Sequence, residues 1–308
     1  MDGILNINKP PGKTSFSIVS MVKRLSGVKR VGHAGTLDPA ATGVLLICLG
    51  QGTRISEFLM EDTKVYSAEI ELGITTDTYD ADGTITHRDD PSGIDREKFE
   101  SALSSFLGLI YQVPPMYSAV KYKGKPLYKW ARDGKTIERK SRPVTVHSIE
   151  LIDWQPPVAA IEVVCGKGTY IRSLAYDLGL MLGCGAYLKS LVRTRCGIFD
   201  INDSLTIDQL EDAFHNDFWQ HFVYPIDAVF SRWTAIVVSD NAREDIRNGR
   251  PVFLDDDINS ALNIPGQPAP EGLTAENRCR VYALNGDFLA VLRYNPEKGE
   301  WQPDKVFL

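Results

Sequence analysis

The sequence predicts an α+β protein with a small β-rich C-terminal domain. Residues 65–72 alternate apolar and polar side chains, which is typical of a half-buried strand. Residues 166–182 begin with glycines and continue with the apolar spacing of a helix. Near the C-terminus two short apolar segments flank Asn285-Gly286-Asp287, and an Asn-Gly pair is a strong hairpin signal.

The first fifty residues predict a strand, a helix and a second strand. Residues 3–7 have the composition of a short buried strand, and the Lys-Pro-Pro-Gly turn that follows ends it. Ser15 is the predicted N-cap of a helix that runs to about Leu25. A glycine-rich segment precedes the apolar residues 44–49, which predict another buried strand.

The middle of the chain predicts further strands and helices around one irregular insertion. Residues 114–142 are basic, aromatic and poorly periodic, which indicates a protruding insertion with one short helix. The other predicted elements are a helix at 53–60, a polar loop at 76–83, a helix at 95–107, strands near 143–152 and 158–165, and a strand at 188–201.

A domain boundary is predicted near residue 231, because the segment that follows differs in its predicted elements. Beyond it lie the loop at 264–272 and the paired C-terminal strands. We therefore expect a large domain at 1–231 and a small one at 232–308.

The composition excludes several classes of protein. The five cysteines are scattered without a Cys-x-x-Cys pair, and the five histidines lack metal-ligand spacing. The longest apolar run is far too short for a membrane span, and the N-terminus has no apolar signal core. We expect a cytoplasmic protein without metal, cofactor or membrane contact.

The charge distribution is uneven. The net charge of −6 does not suggest a nucleic-acid partner. Residues 9–30, however, contain six basic residues and no acidic ones, and residues 121–142 contain nine basic residues and two acidic ones. Such clusters are either solvated surface or phosphate-binding surface.

The glycine-rich segment GHAGTLDPAATG, residues 32–43, is the best candidate for chemistry. The P-loop pattern fails because Ile7 occupies the position of its first glycine, and the sequence contains no GxGxxG, HExxH or GxSxG motif. The glycines permit close backbone approach, and Pro39 favours an extended Asp38. The segment is either a turn-rich connector or a stiff loop that presents Asp38, with Arg172 as a candidate cationic partner.

This loop, extended to GHAGTLDPAATGVLLICLG, resembles the catalytic motif of the TruB family of pseudouridine synthases. Five further segments resemble that family in the same order: GILNINKPPGKTSFSIVSMVKR, KVYSAEIELGITTDTYDADG, PPMYSAVKYKGKPLYKWARDGK, GKGTYIRSLAYDLG and LGCGAYLKSLVRTRCGIF. About 200 residues are covered, whereas the last 75 or so match more weakly.

The resemblance implies a fold, an activity and a set of roles. The fold would be a mixed, mainly antiparallel pseudouridine-synthase sheet flanked by helices, with a C-terminal domain of the RNA-binding PUA type. The activity would convert uridine 55 in the T loop of tRNA to pseudouridine. The implied roles are Asp38 as nucleophile, Arg172 as its ion-pair partner, Tyr66 stacked on the flipped uracil, Tyr170 lining the pocket, Leu191 packed against the base, His33 in the space that the flipped nucleotide leaves, and Lys9 and Lys121 in contact with RNA.

The resemblance also implies a tRNA T-stem loop as the substrate, no obligate protein partner, and a monomer. Three other classes remain to be weighed. A non-catalytic RNA-binding module would explain the basic clusters. A carboxylate-nucleophile glycosidase would need a second carboxylate, and we interpret Asp77, Asp80 and Asp82 as loop residues. An RNA-guided relative would depend on partner proteins.

Overall fold

The computed structural model describes residues 1–253 and 278–307. The helices of the described part are α1 (Ser15–Ser26), α2 (Ser56–Glu61), α3 (Arg96–Ser104), α4 (Leu127–Arg132), α5 (Ile171–Leu182), α6 (Ile207–His215) and α7 (Asp240–Arg247). Its strands are β1 (Gly3–Lys9), β2 (Val31–Ala34), β3 (Thr42–Leu49), β4 (Lys64–Leu72), β5 (Ile74–Thr76), β6 (Ile85–Arg88), β7 (Gly108–Gln112), β8 (Lys121–Tyr122), β9 (Lys125–Pro126), β10 (Arg142–Gln155), β11 (Val158–Cys165), β12 (Ala186–Cys196), β13 (Phe199–Asp200), β14 (Thr234–Val238), β15 (Arg278–Ala283), β16 (Phe288–Asn295) and β17 (Glu300–Val306).

A nine-stranded sheet is the framework of the larger part of the chain. Seven strands follow the order β1-β3-β12-β4-β11-β10-β7, with β2 on β3 and β13 on β12. The strands from β12 to β7 pair antiparallel, whereas β3 pairs parallel to β12. The prediction of an α+β fold with a mixed, mainly antiparallel sheet is confirmed.

Helices α3 and α5 cover one face of this sheet. Ile70 and Ile161 on the strands share a buried cluster with Leu174 and Leu178 of α5 and Phe99 of α3. Each such side chain contributes about 1.5–3 kcal/mol when it is fully buried. This packing fixes α5 against β4 and β12.

The start of α1 differs from the prediction. Thr14, not Ser15, is the N-cap, and its side chain accepts a hydrogen bond from the Ser17 amide. The Ser15 hydroxyl is used elsewhere, since its Oγ lies 3.0 Å from the Leu37 amide nitrogen and 3.1 Å from the Leu37 carbonyl oxygen. Ser15 was predicted as the cap from its position in the sequence, but its hydroxyl binds the distant Leu37 backbone instead.

The predicted insertion contains a short hairpin and a helix. Strands β8 and β9 pair and lead into α4, so the prediction of one short helix is confirmed. Lys125 and Lys135 lie over the Trp130 ring, at 4.6 and 5.7 Å from its centroid. Aromatic faces therefore hold the lysines of this segment in place.

The chain divides into two compact units. One comprises Leu5–Cys48 and Ser56–Val223, and the other comprises Met1–Ile4, Leu49–Ile55 and Tyr224–Leu308. The second unit contains a four-stranded sheet in the order β14-β15-β16-β17. The predicted boundary between residues 231 and 232 stays a prediction.

The predicted Asn-Gly hairpin joins β15 and β16, which pair antiparallel, and Gly286 adopts a φ of 89° in its turn. The predicted loop at 264–272 lies outside the described residues. Among the helices of residues 1–253 and 278–307, none is long and apolar enough to cross a membrane.

Candidate active site

The glycine-rich loop runs from β2 into β3, and the backbone on both sides of Asp38 is fixed. On one side Leu37 is held by the Ser15 hydroxyl. On the other side the Pro39 carbonyl accepts a hydrogen bond of 2.9 Å from the Gly12 amide. The segment is therefore a braced loop that presents a carboxylate, and it also contains a turn in which the Ala41 amide donates a hydrogen bond to the Asp38 carbonyl.

Arg172 and Asp38 form an ion pair. Nη2 of Arg172 lies 3.0 Å from Oδ2 of Asp38, and their side chains are 5% and 37% exposed. The same Nη2 donates a hydrogen bond of 2.7 Å to the Tyr117 carbonyl at the start of the insertion. A buried guanidinium thus holds a partly exposed carboxylate, and part of that carboxylate stays accessible.

Asp80 is a second carboxylate on Arg172, and sequence reasoning missed it. Its Oδ2 lies 3.3 Å from Nη1 of Arg172, and its side chain is only 14% exposed. Asp80 does lie in a loop, between β5 and β6, as predicted, but that loop folds back and buries the carboxylate against α5. An acidic residue within a segment that resembled a family motif was the available signal.

The electrostatics of Asp38 combine opposing effects. Burial raises the pKa of its carboxyl, Arg172 lowers it, Asp80 raises it and Lys9 lowers it, with a net rise. A carboxyl that loses hydration becomes harder to ionise and a neighbouring cation counteracts this. Arg172 is therefore the group that keeps Asp38 available as an anion.

Lys9 supports the loop from within the protein. Its side chain is 0% exposed, and its ammonium donates hydrogen bonds of 2.9, 2.8 and 3.0 Å to the carbonyls of Pro10, Lys13 and Pro39. Burial lowers the pKa of this ammonium to about 8, although Asp38 opposes the change. The prediction that Lys9 contacts RNA is corrected, because its three donors are occupied by backbone and no surface is left for a ligand.

Tyr66 and Leu191 lie on adjacent strands of the sheet. Tyr66 is on β4 opposite Arg193 of β12, and Leu191 is opposite Ala68. Both Tyr66 and Leu191 are partly buried against the core cluster. Burial raises the pKa of the Tyr66 hydroxyl, and the charge of Arg193 opposes the rise.

Tyr170 lies directly before α5, close to the ion pair. Its side chain makes no capping hydrogen bond to the helix. The side chain of Gln112 instead binds its backbone, accepting from the Tyr170 amide at 2.7 Å and donating to the Tyr170 carbonyl at 2.9 Å. Burial raises the pKa of the Tyr170 hydroxyl, while Ser118 and Arg172 lower it. The structure thus brings Tyr170, Arg172 and Asp38 to one place.

His33 and Lys121 lie on separate elements. His33 is on β2, half-buried, and its Nδ1 has no hydrogen-bond partner among the described residues. Burial lowers the pKa of its imidazole, and the charge of Arg193 lowers it further. Lys121 is exposed on β8 within the insertion, where a phosphate could reach it.

The fold resembles that of chains in two solved complexes. A chain from a structure described as a Cbf5–Nop10–Gar1 complex superimposes with a TM-score of 0.72 and 24% sequence identity, covering 99% of this chain and 85% of that chain. A chain from an H/ACA RNP bound to a substrate RNA containing 2′-deoxyuridine gives a TM-score of 0.71 at 22% identity, with coverage of 99% and 85%. At these identities the likeness concerns the fold alone.

Family models define the class of protein. The N-terminal domain of TruB family pseudouridylate synthases matches residues 23–171, and the C-terminal domain of tRNA pseudouridylate synthase B matches residues 172–231. Together with the fold, these matches define a pseudouridine synthase, an RNA-modifying isomerase.

Within that class, the chain belongs to the TruB family. A tRNA pseudouridine synthase B of Dehalococcoides mccartyi is 43% identical over 308 residues, which is 100% of this chain and 97% of the relative. A tRNA pseudouridine synthase B of Syntrophotalea carbinolica is 47% identical over 211 residues, covering 68% of this chain and 69% of the relative.

Proposed function

We propose that this protein isomerises uridine 55 in the T loop of tRNA to pseudouridine, with Asp38 as the nucleophile. The observation that carries the proposal is the ion pair between Asp38 and the buried Arg172 in a braced loop. The names of the relatives, tRNA pseudouridine synthase B, support tRNA as the substrate.

The reaction is an isomerisation in which no atom is lost. The N1–C1′ bond breaks, the uracil turns over, and a C5–C1′ bond forms while the proton on C5 leaves and N1 gains one. Asp38 attacks C1′ or C6 as the nucleophile, or in an alternative route acts as a base that removes a 2′ proton to give a glycal. Each of these routes requires the ionised carboxylate of Asp38. The chemistry of each route can proceed without a metal or a redox cofactor.

The target nucleotide must leave its stack before the carboxylate can reach it. Unstacking costs on the order of a few kcal/mol, and stacking on an aromatic side chain returns about 1–3 kcal/mol. We assign Tyr66 to that stacking and to proton transfer. We assign Leu191 to packing against the base, Tyr170 to the pocket wall, and His33 to the space that the nucleotide vacates.

Recognition of a folded RNA loop depends on shape and phosphate contact. The insertion supplies exposed cations such as Lys121, Lys123 and Lys129. We propose that it grips the T-stem loop, and that the enzyme acts in the cytoplasm as a monomer with no obligate protein partner. The C-terminal domain at 232–308 is proposed to be PUA-like.

The proposal is tested with purified protein alone and a T-stem-loop transcript labelled with 5-tritiated uridine. Release of tritium, mapped to position 55, is the expected result, because C5 loses its hydrogen in the reaction. The matched control RNA carries cytidine at position 55 and keeps every other uridine, and it should release none. Equal release from both RNAs would contradict the assignment of the position, and no release without added proteins would favour the RNA-guided alternative.

A further inference from the structure

Arg193 is a fully buried cation beneath the candidate active site. Its side chain is 1% exposed, and it is the largest of the fully buried side chains. In the part of the chain that the structure describes, no carboxylate lies within ion-pair distance of it. Burial of an isolated charge is costly, and a well-packed apolar side chain of similar volume is often at least as stable. The position therefore calls for an explanation beyond core packing.

The guanidinium binds the backbone of the glycine-rich loop and of the strand that follows it. Its Nε donates a hydrogen bond of 2.7 Å to the Val44 carbonyl, and its Nη2 donates one of 3.2 Å to the Gly35 carbonyl. Gly35 lies three residues before Asp38. The cation thus fixes the loop at a point separate from the contacts made by Ser15.

Two of the loop glycines lie close to residue 193, one against its side chain and one against its backbone. A Cβ on Gly35 would lie 3.3 Å from Nη1 of Arg193, and a Cβ on Gly43 would lie 2.2 Å from the Arg193 carbonyl oxygen. Both glycines also adopt positive φ angles, 81° and 96°. Gly35 therefore leaves room for the guanidinium, whereas Gly43 leaves room for the backbone of β12, whatever side chain residue 193 carries.

The same guanidinium acts on Tyr66. The two residues are directly opposite each other on β12 and β4, so their side chains share one face of the sheet. The positive charge of Arg193 opposes the rise in the pKa of the Tyr66 hydroxyl that burial causes. One buried group therefore binds the loop that carries Asp38 and lies across the strand pair from the aromatic residue assigned to the base.

We propose that Arg193 is a positioning residue for the isomerisation, which holds the backbone of residues 32–43 and the hydroxyl of Tyr66 in one fixed arrangement. The inference rests on the proposed function for the roles of Asp38 and Tyr66. Arg193 does not reach the substrate in this account, since its side chain is enclosed by β3, β4 and the loop. Its effect on the reaction passes through the groups that it orients.

A residue that acts through Tyr66 must be energetically coupled to it. The test is a double-mutant cycle of Arg193→Gln and Tyr66→Phe, with single-turnover pseudouridine formation and RNA affinity measured for each protein. We expect Arg193→Gln to slow the chemical step by about 100-fold, as misplacement of reacting groups does, with RNA affinity retained. In the Tyr66→Phe background the same substitution should cost several-fold less. Equal losses in both backgrounds, or a wild-type rate for Arg193→Gln, would overturn the proposal.

Two further variants keep the test decisive. Arg193→Lys retains the charge and should recover part of the rate, and it replaces Arg193→Gln in the cycle if that protein does not fold. Arg195→Gln removes an exposed arginine of the same strand and should behave as the wild type. If the wild-type protein leaves the T-stem loop unmodified, the proposed substrate is wrong. The double-mutant cycle is then measured on total tRNA. There the coupling between Arg193 and Tyr66 tests the role of Arg193 whether or not the target is uridine 55.

Discussion

The carboxylate of Asp80 lies 3.3 Å from the guanidinium of Arg172, on the nitrogen that Asp38 does not use. One buried cation is therefore shared between two carboxylates of unequal exposure. In the proposed function the more exposed one, Asp38, is the nucleophile, and we expect the more enclosed one to orient the cation. We therefore expect Asp80 to influence the reaction through Arg172.

Asp80→Asn should lower the turnover rate by about 10- to 100-fold, because Arg172 loses the anion that orients it. Burial raises the pKa of Asp38 and the charge of Asp80 raises it further, so the substitution should also move the acidic limb of the pH–rate profile to lower pH. A pH series of single-turnover rates measures both effects. Asp82 raises the same pKa but is not an Arg172 partner in the described structure, so Asp82→Asn should shift the limb with little loss of rate.

Arg172→Lys tests whether the geometry of the guanidinium matters beyond its charge. The acceptors of Arg172 lie on its two separate terminal nitrogens, Asp38 and the Tyr117 carbonyl on Nη2 and Asp80 on Nη1, and a lysine ammonium has its three donors on a single nitrogen. We expect a loss of about 100-fold in the chemical step with RNA affinity retained. A variant with the wild-type rate would show that charge alone suffices.

Lys9→Met tests the buried Lys9 ammonium and its three backbone hydrogen bonds through the pH dependence of stability. The folded-state pKa of Lys9 is about 8, below the ordinary value of 10.5, so the unfolded chain binds more protons between these values. The contribution of Lys9 to the free energy of unfolding should therefore rise with pH over that window, by about 1–3 kcal/mol, and be flat below it. Urea unfolding of both proteins across the window gives the difference. A difference that falls with pH would contradict the burial of a charged Lys9, and Lys13→Met, at an exposed position, is the control.

The insertion is tested by neutralising its exposed lysines. Replacing Lys121, Lys123 and Lys129 with Gln should weaken RNA binding and flatten its dependence on salt, by about 0.7–0.9 in logarithmic slope for each phosphate that the protein no longer neutralises. Lys125 is left unchanged because it pairs with Asp133 and covers Trp130. Lys98→Gln, at an exposed position on α3, should change neither quantity. An unchanged slope in the triple variant would place the RNA grip elsewhere.

The sequence predicted what depends on local pattern and on motif order. The alternation of β4, the glycine-led helix α5 and the Asn-Gly hairpin were predictable because each depends on neighbours in the chain. The closeness of Asp38 and Arg172 was inferred from motifs that resembled a family.

What the sequence did not predict depends on contacts between distant segments. Asp80 reaches Arg172 only because a polar loop folds onto α5, and Arg193 reaches the glycine-rich loop only because β12 pairs with β3. Ser15 was misassigned for the same reason, since the Leu37 backbone takes its hydroxyl. Lys9 was assigned to RNA because a lysine near a basic cluster gives no local sign that three carbonyls will enclose it.

The central claim is that Asp38 performs the covalent chemistry. Asp38→Asn keeps the size and shape of the side chain, so the surface that binds RNA is retained. The substitution removes the ionisable carboxylate and with it the nucleophile. Tritium release from a 5-tritiated T-stem loop, measured beside filter binding of the same RNA, tests the claim most directly. The account predicts no tritium release with RNA affinity largely retained, and substantial turnover by the variant would contradict it.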